Sequence, residues 1–359
     1  MSRIVFILPG FPRKPGGGHK VVYIYANYLA RRHDVTVMHL RPTKPGDHRR
    51  PKLKVALINM LYFLGRRARP TWFKLDRRVQ LINRARQAIE DVPEADHIVA
   101  TSVKTASFVA DSAANQGVVG SYFIQHFEDY SDPVDVVELT WRLPLNRIVI
   151  APWLQAKAKS LGVTSTLVPN AVDPANFPVG PSIKNRPPQV LSLVSSQPWK
   201  RTDLVVEVMA SLHTANPNVK LAAFGVGRKP RGFPEFITYH QNPSANQLRR
   251  LYQASRIYMC TSDYEGFGLP PAEAMLSGAA IVSTDNHGVR SFADEAAIFV
   301  PIGDAASLRD AVQHLLENEV DCENLAARGT RKIRKWSIED AGLAFEAAVL
   351  ETRLLDGVD

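Results

Sequence analysis

The sequence is poor in cysteine and has no long apolar run. Only two cysteines occur in 359 residues, Cys260 and Cys322, and their spacing fits no metal site, which indicates a reducing compartment. No apolar run reaches about 18 residues, the length that a membrane-spanning helix needs. The segment RIVFIL near the start is too short for the apolar part of a signal peptide and leads directly into PGF. These absences predict a cytoplasmic protein.

Motifs for metal ions and nicotinamide cofactors are also missing. The chain contains no Asp-x-Asp, which argues against a metal ion that bridges a diphosphate. A nicotinamide dehydrogenase would need G-x-G-x-x-G after its first strand; GFPRKPGGGHK does not match, and in FGVGRKP the third glycine is replaced by Pro230. We therefore expect neither a metal nor a cofactor.

What is present is the composition of a globular α/β protein. Apolar residues make up 45% and charged residues 22%, in a chain long enough for two cores. Strand, glycine loop, helix and strand follow one another in RIVFIL, PGFPRKPGGGHK, VVYIYANYLARR and DVTVMHL, and the alternation restarts at VLSLVSS. We expect two Rossmann-like doubly wound parallel sheets facing each other across a cleft, with ligands beyond the carboxyl ends of the strands.

The proline-rich segment VPNAVDPANFPVGPSIKNRPPQ separates the two halves and reads as a linker. The predicted division is an N-terminal, acceptor-side domain over 1–170, a linker over 171–187, a nucleotide-sugar-binding domain over 188–335, and a C-terminal helix in 336–359 that packs back toward the first domain.

Positive charge concentrates between Arg31 and Arg86. This stretch holds 16 Lys and Arg against three Asp, a local charge of +13, whereas the whole chain has a formal net charge of +9. Apolar side chains are interleaved with the charges: Leu61, Tyr62, Phe63, Trp72 and Phe73. Two interpretations stay open, a solvated helical face with ordinary core residues or a patch that binds anionic lipid head groups. Nucleic acid is not expected, because no nucleic-acid-binding motif accompanies the charge.

The segment EGFGLPPAE places two carboxylates, Glu265 and Glu273, at the ends of a constrained loop. Gly266 and Gly268 allow a ligand to approach the backbone, and the double proline fits the first turn of a helix that Gly278 ends. Glu273 is then predicted in the first helical turn, near N–H groups that favour phosphate. Ionised carboxylates accept hydrogen bonds from sugar hydroxyls, so the segment fits a sugar diphosphate. The alternative is a glycine turn with Glu273 as a capping residue.

Here the sequence resembles a known family. EGFGLPPAEAM is similar to the Glu-x7-Glu signature of retaining glycosyltransferases of the GT-B fold, of the family 4 (glycosyl transferases group 1) type. Four further segments resemble segments of that family in the same order: VPNAVDPANF, SSQPWKRTDLVVEVM, LAAFGVG and STDNHGVRSFADEAAIFVPIGD. The resemblance covers nearly the whole chain.

The resemblance implies roles for the residues that match. Glu273 matches the glutamate that holds the nucleotide ribose, and Glu265 the one that faces the transferred sugar. Lys200 matches the lysine that contacts the diphosphate. Gly17 and Gly18 match a glycine loop of the first domain that approaches the donor. The family's loop over the sugar and the diphosphate corresponds in this sequence to Gly266, Phe267, Gly268 and Leu269.

One position departs from the family pattern. Five residues before Lys200 the family carries an arginine, whereas this chain has Ser195. Arg201 follows Lys200 directly, and it is the residue expected to supply the missing positive charge to the donor.

One histidine is a candidate catalyst. His126, in YFIQHFEDY, is predicted at a strand end, where the family has a histidine or an aspartate near the reacting sugar. A structural histidine fits this position equally, and its neighbours Glu128 and Asp129 are also candidates. His287, in DNHGVR, is predicted to be a loop residue rather than a catalyst.

The resemblance implies a hexosyltransferase that acts in polysaccharide or cell-surface glycan biosynthesis. It would move a sugar from a nucleotide-diphosphate donor to a glycan or lipid-linked acceptor, with retention and without metal. The expected location is the cytoplasm, and peripheral association with the inner face of the membrane is the alternative that the basic stretch leaves open. Positive groups and amides would stabilise the leaving diphosphate. Two alternatives share the fold: a non-catalytic protein that binds nucleotide sugars or anionic lipid, and a sugar-nucleotide epimerase.

Overall fold

The computed structural model describes residues 1–41, 69–83 and 87–353. The chain divides into two units, a first one of residues 1–169 with 339–359 and a second one of residues 170–338. Most of the basic stretch, with Leu61, Tyr62 and Phe63, lies outside the described residues. Trp72 and Phe73 are described; their rings lie 5.8 and 5.4 Å from that of Tyr23, and both side chains are partly buried.

The described elements alternate between strands and helices. The strands are β1 (Arg3–Leu8), β2 (Asp34–His39), β3 (Gln80–Asn83), β4 (His97–Ala100), β5 (Gly120–Ile124), β6 (Leu145–Val149), β7 (Thr166–Leu167), β8 (Gln189–Leu193), β9 (Lys220–Gly225), β10 (Ile237–Gln241), β11 (Ile257–Cys260), β12 (Ala280–Thr284) and β13 (Ile298–Val300). The helices are α1 (Gly17–Leu29), α2 (Val103–Gln116), α3 (Val134–Trp141), α4 (Pro152–Ser160), α5 (Thr202–Ala215), α6 (Ala245–Ala254), α7 (Leu269–Leu276), α8 (His287–Ala293), α9 (Ala305–Glu317), α10 (Glu319–Ile333) and α11 (Ile338–Val349).

The first unit is a parallel sheet with the strand order β3-β2-β1-β4-β5-β6-β7. The central strands β4, β5 and β6 are buried throughout, as expected for a sheet that is covered on both faces. Sequence patterns predicted all of these strands except β3, whose four residues follow a charged run without a turn signal. The order reverses between β1 and β4, so the loops after these strands diverge at that point.

The last helix belongs to the first unit. In α11 the ring of Phe345 stacks on Tyr25 at 4.1 Å and meets Phe123 at 4.9 Å. Gly342 lies so close to Tyr28 that an added Cβ would come within 2.5 Å of the ring. The C-terminal helix therefore completes the core of the unit that the N-terminus begins.

The second unit is also a parallel sheet, with the order β10-β9-β8-β11-β12-β13. Here the order reverses between β8 and β11, where Val190 lies opposite Ile257. The prediction of two doubly wound parallel α/β sheets is confirmed. The core of this unit joins strand residues to helices α5, α9 and α10, and it includes Val190, Leu221, Met259, Val282, Val205, Met209, Leu308, Val312 and Leu325.

Residues 171–187, predicted as a linker, are counted with the second unit and contribute to its interior. Ile183 belongs to its core. Arg186 is 3% exposed, and its guanidinium donates to the carbonyl oxygens of Pro181, Ser255 and Ser277 at 2.8, 2.7 and 2.9 Å. Ser255 and Ser277 follow α6 and α7, so one cation satisfies the carboxyl ends of two helices. Burial lowers the pKa of Arg186 to about 10.

Replacing Arg186 by methionine should destabilise the second unit strongly. The change leaves buried carbonyl groups without donors, and we expect a loss of about 3–5 kcal/mol in the free energy of unfolding. Arg249→Met is the matched control, since Arg249 is only partly buried and donates to the carbonyl of Asn176. Urea unfolding of both variants measures the difference; equal, small losses would contradict this role of Arg186.

Candidate functional site

The candidate site lies at the carboxyl edge of the second sheet, where the strand order reverses. The loops after β8 and β11 begin on neighbouring strands there. In open parallel α/β sheets, ligands bind beyond the carboxyl ends of the strands at this reversal. The loop after β8 ends in a short 3₁₀ turn over Pro198–Lys200, and the loop after β11 carries Glu265.

Lys200 and Glu265 are in direct contact across this reversal. The Nζ atom of Lys200 lies 2.6 and 2.7 Å from the two carboxylate oxygens of Glu265. The hydroxyl of Ser262 donates to Glu265 Oε1 at 2.8 Å. Only 14% of the Lys200 side chain and 9% of the Glu265 side chain are exposed, so the pair is largely shielded from water. An ammonium group donates three hydrogen bonds, so Lys200 keeps donor capacity for a further acceptor.

Close packing fixes the backbone of the glycine loop. Gly268 has φ +96°, a conformation that residues with a Cβ rarely adopt, and it caps the N-terminus of α7. At the N-terminus of α8, a Cβ on Gly288 would come within 2.5 Å of the carbonyl oxygen of Glu265. Phe267 is buried against Phe292 and Leu269 opens α7. Glu265 is therefore positioned by contacts on both its side chain and its backbone.

Glu273 lies deeper than predicted. The helix begins at Leu269, so Glu273 is its fifth residue, and no acidic residue occupies the first turn; the prediction of a first-turn position was wrong. Glu273 is 3% exposed and accepts a hydrogen bond of 3.1 Å from the hydroxyl of buried Tyr252. Pro270 and Pro271 carry no N–H, so the first three residues of α7 offer only the amide of Leu269 to an anion. Gly278, with φ +85°, follows the end of the helix as predicted.

A buried polar network lies behind Glu265. The amide of Asn286 donates to the Ser283 hydroxyl at 3.2 Å and to the Thr284 carbonyl at 3.2 Å. The Thr284 hydroxyl donates to the carbonyl of Ser262, which holds Glu265. Asn286 also caps α8 by accepting from the Val289 amide. His287 is the exposed first residue of that helix, so its prediction as a loop residue was wrong.

Arg201 contacts carboxylates of the protein. Its guanidinium lies 2.8 Å from Asp203 and 3.2 Å from Asp263, and these two carboxylates raise its pKa. Ser195, at the position of the family arginine, forms a turn: its hydroxyl accepts from the Gln197 amide, and its carbonyl accepts from the Thr202 hydroxyl. Within the described residues, no group of three or more His, Cys, Asp or Glu side chains forms a metal-ligand cluster.

Gly17 and Gly18 belong to the first unit, where they are the first residues of α1. Gly16 is the N-cap and provides no side chain, so the helix N-terminus is formed by backbone alone. The side-chain amide of Gln125 donates to the Gly18 carbonyl at 3.2 Å, and a Cβ on Gly18 would lie 3.5 Å from it. The glycine loop is thereby tied to the segment that follows β5.

His126 follows the end of β5 by two residues, close to its predicted position at a strand end. Its ring meets those of Tyr130 and Trp153 edge-on, at 5.1 and 5.6 Å. Glu128 points to the N-terminus of α2 and accepts from the Ser102 hydroxyl at 2.8 Å and the Val103 amide at 3.3 Å. Burial raises the pKa of Glu128 to about 7. Asp129 is exposed.

Several residues that build the site were missed from the sequence. Ser262 and Tyr252 bind the two glutamates, and Gly288 permits the close approach of α8. The sequence shows a serine three residues before Glu265, but a serine in a loop does not by itself predict a hydrogen bond to that glutamate. Tyr252 lies 21 residues from Glu273 along the chain, and no local pattern joins them.

Comparison with known proteins relates this chain to glycosyltransferases. Residues 176–335 match the family model described as Glycosyl transferases group 1. A phosphatidyl-myo-inositol mannosyltransferase of Mycobacterium leprae is 26% identical over 195 residues, which cover 50% of this chain and 52% of that protein. A GDP-mannose:cellobiosyl-diphosphopolyprenol alpha-mannosyltransferase of Xanthomonas oryzae is 36% identical over 55 residues, 15% of this chain and 14% of that protein. The chain thus matches about half the length of the first of these relatives.

A solved structure shows the fold. The crystal structure of Anabaena HepE in complex with UDP and glucose superposes with a TM-score of 0.74 at 14% sequence identity, covering 97% of this chain and 99% of HepE. The fold is therefore GT-B, with two Rossmann-like domains.

The raised pKa of Glu128 predicts a pH-dependent stability. The folded protein keeps this carboxyl protonated up to about pH 7, whereas the unfolded chain ionises near the ordinary value of 4.5. The stability that Glu128 contributes is thus full below pH 4.5 and is lost as the pH rises through 7.

Glu128→Gln should therefore gain stability relative to wild type between pH 5 and pH 8, by about 1–3 kcal/mol. Urea unfolding at both pH values measures the difference, with Glu90→Gln, an exposed carboxyl of the same unit, as the control. A wild-type-minus-variant difference that stays constant with pH would refute the assignment.

Proposed function

We propose that this protein is a retaining glycosyltransferase whose second unit binds a nucleoside-diphosphate sugar. The observation that carries the proposal is the Lys200–Glu265 contact at the reversal of the sheet. It lies inside the segment that matches the glycosyltransferase family model. The fold supports the proposal, because the reversal is where such sheets bind nucleotides.

Each donor-site residue has a physical role in this proposal. Lys200 stabilises the charge that grows on the diphosphate as the glycosidic bond breaks. Glu265 is held beside it, so that its carboxylate can accept from hydroxyls of the transferred sugar. Glu273 accepts from the ribose hydroxyls. The loop of Gly266, Phe267, Gly268 and Leu269 offers backbone amides to the diphosphate and the sugar.

In the first unit we assign Gly17 and Gly18 to the donor side of the reaction and His126 to the reacting sugar. Gly17 and Gly18 add amides at the backbone-only N-terminus of α1. Glu265 accepts hydrogen bonds from Lys200, and Glu273 accepts one from Tyr252, so each glutamate is held by a partner of its own. We therefore propose that the leaving group departs and the acceptor attacks on the same face of the sugar, rather than through a glycosyl-enzyme formed by paired carboxylates.

The donor sugar that we place first is mannose. The two curated relatives named above are mannosyltransferases, and one of them uses GDP-mannose by name. UDP-glucose is second, because the similar HepE structure holds UDP and glucose. We propose a glycan or lipid-linked acceptor and transfer without a metal ion, since the chain has no Asp-x-Asp.

Release of nucleoside diphosphate from a panel of donors tests the proposal. GDP-mannose, UDP-glucose and UDP-N-acetylglucosamine are each incubated with a membrane-glycolipid fraction, with and without EDTA. Acceptor-dependent release that survives EDTA supports the proposal. Binding of a donor without release supports a non-catalytic binding protein, and conversion of the donor to its epimer supports an epimerase.

Replacements of the two glutamates should have different effects. Glu273→Gln keeps an acceptor for Tyr252 and should mainly weaken donor binding, by about 1.5–3 kcal/mol for the lost charged hydrogen bonds to ribose. Glu265→Gln keeps an acceptor for Ser262 and should mainly lower kcat, because its partner is the reacting sugar. Steady-state kinetics and donor titration separate the two; equal, small effects would refute this division.

Lys200→Ala should lower kcat more than it raises KM. The charge on the diphosphate peaks in the transition state, so the loss there should reach about 2–4 kcal/mol. Lys200→Arg retains a cation beside Glu265 and serves as the comparison. A purely elevated KM at unchanged kcat would show that Lys200 only binds the ground state.

The basic stretch predicts binding to anionic membranes. We propose peripheral association in which Arg and Lys attract anionic head groups, each contributing about 1 kcal/mol near the surface. Trp72 and Phe73 pack on Tyr23, so insertion would depend on Leu61, Tyr62 and Phe63. None of the described helices combines the length and apolar character that crossing a membrane requires. We expect the protein to co-sediment with anionic liposomes but not with neutral ones, and we expect salt to weaken this binding. Equal binding to both kinds of liposome would show that the basic stretch is a solvated face.

A further inference from the structure

Arg201 adopts a backbone conformation that suits glycine. Its φ of +48° and ψ of +55° place it in the left-handed region, between Lys200 and the first residue of α5. A side chain with a Cβ is strained there, whereas glycine is not. The contacts of the arginine side chain offset this strain in the folded protein.

The contacts of Arg201 join the two loops of the candidate site. Its Nε and Nη2 atoms bind Asp203, which lies in the first turn of α5, at 3.1 and 2.8 Å. Its Nη1 atom binds Asp263, which is on the loop after β11, at 3.2 Å. Asp263 in turn donates its backbone amide to the carbonyl of Trp199 at 2.8 Å. Asp263 therefore contacts residues on both sides of Lys200.

Further contacts cross between the same two loops. The Thr261 hydroxyl donates to the carbonyl of Lys200 at 3.0 Å. The rings of Trp199 and Tyr264 lie 5.8 Å apart with an angle of 16° between their planes. Trp199 directly precedes Lys200, and Tyr264 directly precedes Glu265. The Lys200–Glu265 ion pair is therefore one of several contacts that fix the position of the two loops relative to each other.

The charges argue against a direct role of Arg201 in binding diphosphate. Arg201 together with Asp203 and Asp263 has a net charge of −1, and its guanidinium is already shared between two carboxylates. A diphosphate that approached Arg201 would be attracted by one cation and repelled by two carboxylates, those of Asp203 and Asp263. Lys200, which faces a single carboxylate, has no such excess.

We propose that Arg201 and Asp263 are positioning residues: they clamp the loop after β8 to the loop after β11, so that Lys200 and Glu265 keep their separation as the donor reacts. The effect on transfer rests on the proposed function, whereas the clamp itself does not. Preset geometry of this kind lowers the cost of organising charged groups in the transition state.

Hydrogen exchange tests the clamp without any ligand. Asp263→Asn and Arg201→Gly each remove the cross-loop ion pair, and the glycine also relieves the strained backbone. We expect each variant to raise amide exchange at least tenfold in both loops, residues 195–201 and 261–268. Arg309→Gln, which removes an exposed ion pair of the same unit, should leave both loops unchanged. Faster exchange confined to the substituted loop, or no change, would overturn the clamp.

Binding and turnover then separate positioning from contact with the diphosphate. For positioning, Arg201→Gly and Asp263→Asn should each lower kcat about tenfold and change the Kd for GDP and UDP less than threefold, and the double variant should be no worse than either single one. For direct contact, Arg201→Gly should weaken GDP and UDP binding more than tenfold, and Asp263→Asn should tighten it; that pattern overturns the proposal. If wild type binds no nucleoside diphosphate, the proposed function fails, and hydrogen exchange still decides the clamp.

Discussion

The contact between Lys200 and Glu265 is the interaction on which the local structure of the second unit depends, because the surrounding loops and helices must hold the two side chains together. A cation and a carboxylate that are largely shielded from water need each other as partners, because an unpaired buried charge costs about 3–5 kcal/mol. Their separation therefore depends on the loops after β8 and β11, and those loops diverge because the strand order reverses between the two strands. Gly288 lets α8 approach the backbone of Glu265, and Ser262 holds its carboxylate from the side of the buried polar network. Each of these features would be unnecessary in a loop that only had to turn.

The interior of the second unit contains charged groups that are hydrogen-bonded to other parts of the chain. Arg186 satisfies carbonyl groups after α6 and α7, and Tyr252 on α6 donates to Glu273 on α7. The same two helices are thus joined at their carboxyl ends by a guanidinium and along their lengths by a carboxylate. Arg186, which belongs to the proline-rich segment, consequently supports the helix that carries a candidate ribose ligand. A substitution at Arg186 would therefore affect the site as well as stability, although the two are separated along the chain.

In the first unit, too, a carboxyl group is held by polar partners, but here the partners are a hydroxyl and an amide at a helix N-terminus. Its sheet also reverses, between β1 and β4, and the loops at that edge carry the glycines of α1 and the Ser102 cap of α2. Glu128 binds that cap from the segment after β5, and burial keeps its pKa near neutrality. A carboxyl that is poised to gain or lose a proton lies two residues from His126. The predicted candidates of this segment therefore occupy distinct environments: His126 lies among aromatic rings, Glu128 lies at a helix N-terminus and Asp129 is exposed.

The sequence by itself determined the fold class and the position of the main residues of the candidate site. Strand and helix periods are local, so they predicted both parallel sheets, while β3 was missed because four residues carry too little pattern. EGFGLPPAE placed Glu265 and Glu273 correctly on a glycine loop and a helix, with the helix start misjudged because two prolines fit several positions of a first turn. Only the tertiary structure decided which partners those charges have. A partner that lies 21 to 91 residues away along the chain binds each of Lys200, Glu273, Arg186 and Arg201. Burial, which makes such partners necessary, arises only when the strands and helices pack.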